Sequence, residues 1–169
     1  MVARSLTLAA LAGLGACTTR SSGPAEAPVQ SLEDFVLTET RNQGATQWIL
    51  KAREATLRDS GGADLASPHL EIYKNGKPAT EVDSKQGAFD DKTRDMHLRG
   101  EVVVVSRDEG AEKTTLRTDA LDYVESEKKF KTDQPVRIER RGSTMRGKGL
   151  IASHDLSEIH VLHQEATFQ

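Results

Sequence analysis

The only cysteine of the chain stands directly behind a short apolar segment near its beginning. The segment follows Arg4, is rich in Leu and Ala from Leu6 to Leu14, and ends in two small residues before Cys17. A bilayer-spanning helix needs about 20 apolar residues, and this run is roughly half as long. A basic residue, a short apolar run and small residues favour export instead. The thiol of Cys17 is then a nucleophile that can carry a covalently attached lipid.

This segment, ending in Leu14-Gly15-Ala16-Cys17, resembles a bacterial lipoprotein signal peptide. The resemblance implies cleavage between Ala16 and Cys17, with a diacylglyceryl-modified Cys17 as the first residue of the mature chain. Two or three acyl chains hold a protein stably on a bilayer, whereas one chain binds only marginally. The alternative is an ordinary signal peptide followed by a chance cysteine, although a lone thiol is unusual in an exported protein.

The remaining reactive side chains form no motif that is typical of catalysis or metal binding. His160 and His163 are the closest histidine pair, but residues three apart on a strand point to opposite faces. The chain has no Gly-x-Ser-x-Gly nucleophile turn and no Gly-x-x-x-x-Gly-Lys-Ser/Thr phosphate loop. We therefore expect a protein that is not an enzyme and needs no metal or cofactor.

Composition narrows the class of partner and the number of domains. The net charge is −3, and the charged residues, 29% of the chain, are of both signs and interspersed, which argues against a nucleic-acid-binding face. Thr18 to Gln30 is rich in Ser, Gly, Pro and Ala, as in a flexible tether. The predicted organisation is a signal peptide at 1–16, a lipidated cysteine and tether at 17–32, and one domain at 33–169.

Alternating apolar residues predict strands over most of that domain. From Glu33 onward apolar side chains recur at every second position, as in Trp48/Leu50/Ala52 and Val136/Ile138. Turn residues such as Asn75-Gly76 and Arg141-Gly142-Ser143 separate the runs. Pro68 and Pro135 are each expected to open a strand, and Gly100 is expected to mark a bulge or bend. The pattern favours an all-β sandwich or barrel.

A weak internal repeat runs through the second half of the chain. Each unit is a short strand, a polar turn and a second short strand that begins with a large apolar residue. Taking Met96, Phe130 and Ile159 as equivalent gives spacings of 34 and 29 residues, and Leu65 lies 31 residues before Met96. The predicted unit is a hairpin repeated about four times.

Seven strand and turn segments stand in a characteristic order along the domain: Phe35–Thr40, Trp48–Ala52, Pro68–Pro78, Met96–Val104, Leu116–Thr118, Thr132–Val136 and Arg146–Leu150. In this order they resemble the LptC family of lipopolysaccharide transport proteins over roughly Phe35 to Phe168. The resemblance implies an open antiparallel β-jellyroll of the OstA/LptA/LptC type. Members are usually held by a transmembrane helix, and we expect that a lipid anchor on Cys17 replaces this helix in the present chain. We expect a periplasmic domain anchored to the inner membrane, with the outer membrane as the alternative.

The resemblance also implies a function and its partners. The protein would receive lipopolysaccharide from the inner-membrane LptB/LptF/LptG transporter complex and pass it to LptA, with the acyl chains of lipid A in a hydrophobic groove. Nucleic acid is not an expected partner. The alternative is a non-transporting envelope lipoprotein of jellyroll form that acts as a scaffold or binds a small lipid. A basic cluster at Arg140, Arg141, Arg146 and Lys148 is interpreted as a solvated strand face, with lipopolysaccharide phosphates as the alternative.

Two sets of residues are candidates for the binding surfaces. The predicted acyl-chain groove comprises Phe89, Met96, Tyr123, Phe130, Leu98, Val104 and Ile138. Plain core packing is the alternative for each of them, because every β-sandwich has an inward face of this composition. The predicted partner-binding edge strands are about Glu33 to Thr40 and Ile159 to Phe168, represented by Phe35, Leu37, Ile159, Val161 and Phe168.

Overall fold

The computed structural model describes residues 30–41, 44–107 and 113–165, and its regular elements in these ranges are strands. Cys17, the predicted signal peptide, the tether as far as residue 29, and Phe168 lie outside them. No helix in the described ranges is long and apolar enough to cross a bilayer. The strands are β1 (Ser31–Thr40), β2 (Thr46–Leu57), β3 (Ala63–Ala66), β4 (His69–Lys74), β5 (Lys77–Asp83), β6 (Gln86–Phe89), β7 (Met96–Ser106), β8 (Thr114–Val124), β9 (Lys129–Arg140), β10 (Ser143–Ser153) and β11 (Ile159–Glu165).

The strands follow the alternation of the sequence. In β7, Met96, Leu98, Val102 and Val104 are buried while most residues between them are not, so one face of the strand packs inward. The predicted turns at Asn75-Gly76 and Arg141-Gly142 join β4 to β5 and β9 to β10, and all four of these residues have positive φ. Two central residues with positive φ form the tight hairpin turn whose twist matches that of the flanking strands.

All eleven strands belong to one antiparallel sheet. Between β2 and β7 the sheet splits into two branches, one formed by β4 and β5 and the other by β3 and β6. The first half of β2 pairs with β4 and the second half with β3, while β7 pairs with β6 over its first half and β5 over its second. From β7 the sheet continues through β8, β9 and β10 to β11, and β1 pairs with the other side of β2. Within the described residues, β1 and β11 are therefore the two free edges.

The long strands bend near their middles. The β7–β8 pairing shifts register between Arg99 and Val102, where Gly100 has φ +76°. Glycine adopts this left-handed conformation without the steric cost that a side chain brings. Pro135 does not open a strand as predicted: it lies inside β9, where it pairs with Lys148 beside the register shift of the β9–β10 ladder. At such an irregularity its missing N–H removes little from the ladder.

The bends fold the sheet over, so that its two halves face each other. Half-sheet A contains β3, β6 and residues 54–57, 96–99, 121–124, 129–132 and 150–153; half-sheet B contains β4, β5 and residues 46–51, 102–106, 114–118, 136–140 and 143–148. Trp48 and Leu57 would lie about 30 Å apart on a straight β2. Yet the Trp48 ring is 5.9 Å, centroid to centroid, from Phe89, which belongs to half-sheet A. In each half-sheet, we call the strand ends away from the bends the rim. The space between the rim of half-sheet A and the rim of half-sheet B is the mouth.

Apolar residues form continuous rows across both halves. In half-sheet A, direct cross-strand partners run through Ala63, Phe89, Met96, Tyr123, Phe130, Ala152 and Ile159. This confirms the predicted equivalence of Met96, Phe130 and Ile159, whereas the residue of β3 in their row is Ala63 rather than Leu65. In half-sheet B the matching row is Leu37, Leu50, Leu70, Val82, Val104, Leu116, Ile138 and Met145. The all-β prediction is confirmed.

Candidate functional site: the mouth between the half-sheets

The four aromatic or flexible residues predicted for the groove are neighbours in one row at the rim of half-sheet A. Phe89, Met96, Tyr123 and Phe130 are direct cross-strand partners, and the Tyr123 and Phe130 rings lie 5.4 Å apart, centroid to centroid. All four are 4% exposed or less. Burial raises the pKa of the Tyr123 hydroxyl far above its ordinary value, and the nearby Glu125 carboxylate adds to that rise. Tyr123 therefore stays neutral beside the apolar row.

The other three predicted groove residues lie deeper or on the facing half. Leu98 is two residues further than Met96 along β7, towards the bend, while Val104 and Ile138 belong to the row of half-sheet B. All three are buried. The seven predicted residues thus line the inward faces of both halves, and in this closed form they pack against one another as core. Separation of the half-sheets is what would make them a groove.

An ion pair joins the two rims across the mouth. Lys74 Nζ, at the rim end of β4, donates a hydrogen bond of 2.6 Å to Oδ2 of Asp155 in the β10–β11 turn. Burial alone would raise the pKa of Asp155, but hydrogen bonds from Lys74, Ser157 and Ser153 outweigh it and hold that pKa well below its ordinary value of 3.8. The carboxylate is 8% exposed and stays ionised at neutral pH.

The same turn inserts an apolar side chain into the mouth. Leu156 follows Asp155, is 2% exposed and belongs to the hydrophobic core, although both of its neighbours are polar. Its φ of +56° is left-handed, which costs a non-glycine residue about 1 kcal/mol. The Leu156 N–H donates to the carbonyl of Ser153, and the His154 N–H donates to the carbonyl of Lys128 in the β8–β9 turn. Residues 154–158 therefore cover the mouth, and we call this segment the clasp.

A second set of contacts closes the mouth at its other end. Arg94, in the β6–β7 turn, lies 3.8 Å from the Glu39 carboxylate on β1 and stacks over the Phe89 ring at 5.9 Å. Trp48 meets the same ring edge-on from half-sheet B. At this end the rims are joined by an ion pair between residues distant in sequence and by packing against the Phe89 ring. These contacts are not backbone hydrogen bonds. Contacts of this kind can separate without unpairing any strand.

Cavities of about 590 and 370 Å³ open on the described surface, and the larger one borders Lys74. The larger is lined by the β4–β5 hairpin with Arg107, and the smaller by β2, β3 and β6 residues such as Glu54 and Gln86. None of the predicted groove residues lines either one. Within the described ranges, no three His, Cys, Asp or Glu side chains group as metal ligands would. The interior that the apolar rows define is therefore the candidate site.

Comparison with known proteins identifies the chain's relatives. Residues 5–167 match the family described as lipopolysaccharide-assembly, LptC-related. The chain belongs to the LptC family. This membership makes the protein a component of lipopolysaccharide assembly and confirms the resemblance of its strand and turn segments. No curated protein matches the chain.

A solved structure supports the fold of this LptC-family protein. LptH, the LptA-homologous periplasmic component of the lipopolysaccharide transport device of Pseudomonas aeruginosa, superposes with a TM-score of 0.56 at 12% identity. The match covers 68% of this chain and 80% of LptH. At this identity the likeness concerns the fold, and it confirms the predicted β-jellyroll.

The free edges of the LptC-family domain carry four of the five predicted partner-binding residues, and the fifth, Phe168, lies outside the described residues. Phe35 and Leu37 on β1, and Ile159 and Val161 on β11, are partly buried and pack against the core. Each edge also exposes large apolar side chains: Leu32 and Val36 on β1 are 43% and 60% exposed, and Leu162 on β11 is 55% exposed. A strand edge with exposed apolar side chains can pair with another chain.

The clasp is the part of the site that sequence reasoning missed. Lys74 and Asp155 are 81 residues apart, so no local pattern could pair them. A weak signal was nonetheless present, because Leu156 is a large apolar residue within the polar run His154–Glu158. An apolar residue inside a polar turn needs a place to be buried, and here that place is the mouth.

Replacing Asp155 with asparagine is expected to lower the free energy of unfolding by about 2 kcal/mol at pH 7, within the range for hydrogen bonds to charged groups. The expected loss of free energy is modest because the Lys74 side chain is 43% exposed, so water screens the ion pair. The folded pKa of Asp155 lies below its unfolded value, so its contribution is full above about pH 5 and is lost as the pH falls further.

Urea titrations monitored by circular dichroism between pH 7 and pH 3 measure this difference. The difference between the native chain and Asp155→Asn should stay constant down to about pH 5 and then shrink. Asp119→Asn serves as the control, because Asp119 is an exposed carboxylate on β8 outside the clasp. Equal stability of the Asp155→Asn and native chains at pH 7 would show that the clasp is not held by this carboxylate.

Proposed function

We propose that this protein carries lipopolysaccharide within the periplasmic transport bridge, with acyl chains bound between the two half-sheets. The continuous apolar row from Ala63 through Phe130 to Ile159 carries the proposal. It crosses half-sheet A strand by strand and ends on the edge strand β11. Saturated chains need walls with few polar atoms, since an unpaired buried polar group costs a few kcal/mol. Met96 and the aromatic rings provide an adaptable surface of this kind.

Acyl chains would bind after the half-sheets separate at the mouth. The closed interior is filled with side chains, so lipid needs space that only displacement of the clasp and of the Trp48–Phe89 contact provides. Leu156 would leave the site that an acyl chain then occupies. The sugar head of lipopolysaccharide would remain in water outside the rims. Movement of the cargo requires an energy source outside this domain, because the chain has no phosphate-binding loop.

The two free edges would connect the domain to its neighbours. We infer that β1 accepts a strand from the inner-membrane LptB/LptF/LptG complex and that β11 pairs with LptA or an LptA-like jellyroll. Exposed Val36 and Leu162 would become buried at these contacts. Strand addition would continue the sheet, and with it the apolar rows, from one protein to the next.

Anchoring would come from lipid on Cys17, at the start of the mature chain. We propose that signal peptide 1–16 is removed and that residues 17–32 tether domain 33–169 to the inner membrane, with the outer membrane as the alternative. A flexible chain of this length and composition lets the domain reach the transporter while it stays close to its lipid source.

One observation favours a second candidate function. The predicted groove residues are at most 5% exposed, as in a packed structural core. A non-transporting envelope lipoprotein of jellyroll form, acting as a scaffold or binding a small lipid, would need no opening of the mouth. Crosslinking to the cargo distinguishes the two functions.

A photo-crosslinking amino acid at Phe89, Tyr123 or Phe130 tests the proposal in cells that make the complete transport machinery. Lipopolysaccharide adducts are expected at all three positions and should depend on ATP hydrolysis by the transporter. His97 and Lys129 are matched controls, because each adjoins a row residue on the same strand but is exposed on the other face. Absence of adducts at every inward position would favour the scaffold.

A further inference from the structure

Three arginines stand directly opposite one another on the outer face of half-sheet B. Arg117 on β8 pairs with Arg137 on β9, and Arg137 pairs with Arg146 on β10. All three are exposed, because the alternating residues of these strands, such as Leu116 and Ile138, point inward. Neighbouring strands are about 4.8 Å apart, so the arginines form a line of about 10 Å across the sheet. We call this line the arginine ladder.

Like charges directly opposite on neighbouring strands destabilise a sheet. Elsewhere on the same outer face, the like-charged cross-strand partners Glu71 and Glu81 each have a cation beside them. Lys51 forms an ion pair with Glu71, and Arg107 lies 2.8 Å from Glu81. Stacking of three cations on β8 to β10 departs from this pattern, and a partner that brings negative charge would offset its cost.

The surroundings of the arginine ladder are predominantly basic. Exposed Lys113, Arg140, Arg141 and Lys148 lie on the same three strands or at their ends. Acids are also present beside the ladder: Glu139 accepts a hydrogen bond of 2.8 Å from Arg137 Nε, and Asp119 is exposed two residues after Arg117 on β8. Because the whole chain has a net charge of −3, this excess of positive charge is local to this part of the molecule.

We propose that the arginine ladder and its basic surroundings dock on the anionic headgroups of a phospholipid bilayer. An array of cations on the outer face of a sheet suits a planar array of phosphates, and Lys and Arg near such a surface add to its binding roughly independently. The ladder residues point away from the apolar rows, so this contact is separate from lipid carriage. Docking would fix which way the domain lies on the membrane.

Vesicle binding by the full chain carrying Cys17→Ser, which has no site for lipid attachment, tests the proposal. We expect stronger binding to vesicles of about one-third phosphatidylglycerol in phosphatidylcholine than to phosphatidylcholine alone, and weakening as salt is raised. The variant Arg117→Gln/Arg137→Gln/Arg146→Gln should bind the anionic vesicles about 100-fold more weakly, at about fivefold per arginine. Its thermal stability should not fall, because the substitutions remove repulsion.

A second triple variant controls for net charge. Arg53→Gln/Lys92→Gln/Lys129→Gln removes the same charge from exposed positions outside the ladder. We expect it to lose less than about fivefold in binding. Equal loss in both triple variants would overturn the proposal, since binding would then follow net charge alone. Equal binding of the Cys17→Ser chain to neutral and anionic vesicles would overturn it as well.

Discussion

Replacing Trp48 with alanine is expected to lower the free energy of unfolding by about 4 kcal/mol, the usual cost of emptying a buried aromatic site. Trp48 has 0% exposure, lies in half-sheet B and meets Phe89 of half-sheet A edge-on. Its loss would leave a cavity where the rims meet and remove an aromatic contact that folds the sheet over. A domain of this size has a total stability of about 5–15 kcal/mol, so the variant would be close to unfolding.

Trp48→Phe separates packing from hydrogen bonding. The indole Nε1–H is buried and has no hydrogen-bond partner within the described residues. Phenylalanine keeps most of the ring contact and removes this unsatisfied donor, so we expect a loss of only about 1 kcal/mol. Trp48 is the only tryptophan, and unfolding is therefore monitored by circular dichroism rather than by fluorescence.

Val36→Ala provides a surface comparison. Val36 is 60% exposed on β1, and its truncation should change stability by less than about 0.5 kcal/mol. A loss below about 1 kcal/mol for Trp48→Ala would contradict the assignment of Trp48 as a contact that holds the half-sheets together.

The strands of this protein follow from the alternation in its sequence, whereas the folding of the sheet into a jellyroll was implied only by the family resemblance, and the positions of most bends were not predicted. Alternation of apolar residues indicates which face of a strand is buried. The alternation is the same on either side of a bend, so it does not show that the strand bends. Pro135 illustrates the difference. A proline after a polar run resembles the start of a strand, but β9 continues through it because the ladders on both sides are irregular there.

For the candidate site too, the sequence predicts the residues of one strand row but not the contacts between distant segments. Spacing placed Met96, Phe130 and Ile159 in equivalent positions, since a hairpin repeat carries its own register. The contacts across the mouth join distant segments, such as Glu39 with Arg94, and follow only from the three-dimensional fold. The sequence shows only part of the arginine ladder. Arg146 lies in a local basic cluster, whereas Arg117 and Arg137 come beside it only through the register of the strands.

Fixing the mouth shut is expected to reduce lipopolysaccharide adducts at Phe130 by about tenfold or more, because the apparent affinity falls with the fraction of molecules that can open. Cysteines replace Lys74 and Asp155, which face each other across the rims, and a short cleavable bifunctional thiol reagent joins them. The filled interior then has no room for an acyl chain. Cleavage of the reagent should restore the adducts in the same sample.

A crosslink that does not cross the mouth is the control. Glu139 and Thr144 are direct partners in the β9–β10 ladder, so joining cysteines at these positions restrains only strands that are already hydrogen-bonded. We expect unchanged adducts at Phe130 in this variant. The Lys74→Cys/Asp155→Cys variant without the reagent should form at least as many adducts as the native chain, because its clasp has lost the ion pair.

The result also decides how lipid reaches the interior. If the half-sheets separate as proposed, acyl chains enter sideways through the mouth, and the crosslink blocks them. Adducts that persist with the crosslink in place would contradict this route. They would mean that acyl chains pass lengthwise between the half-sheets from one edge strand to the other, so that β1 and β11 rather than the clasp control access. The clasp geometry favours the first outcome, because Leu156 is buried in the core directly beside Asp155, whose ion pair with Lys74 joins the two rims.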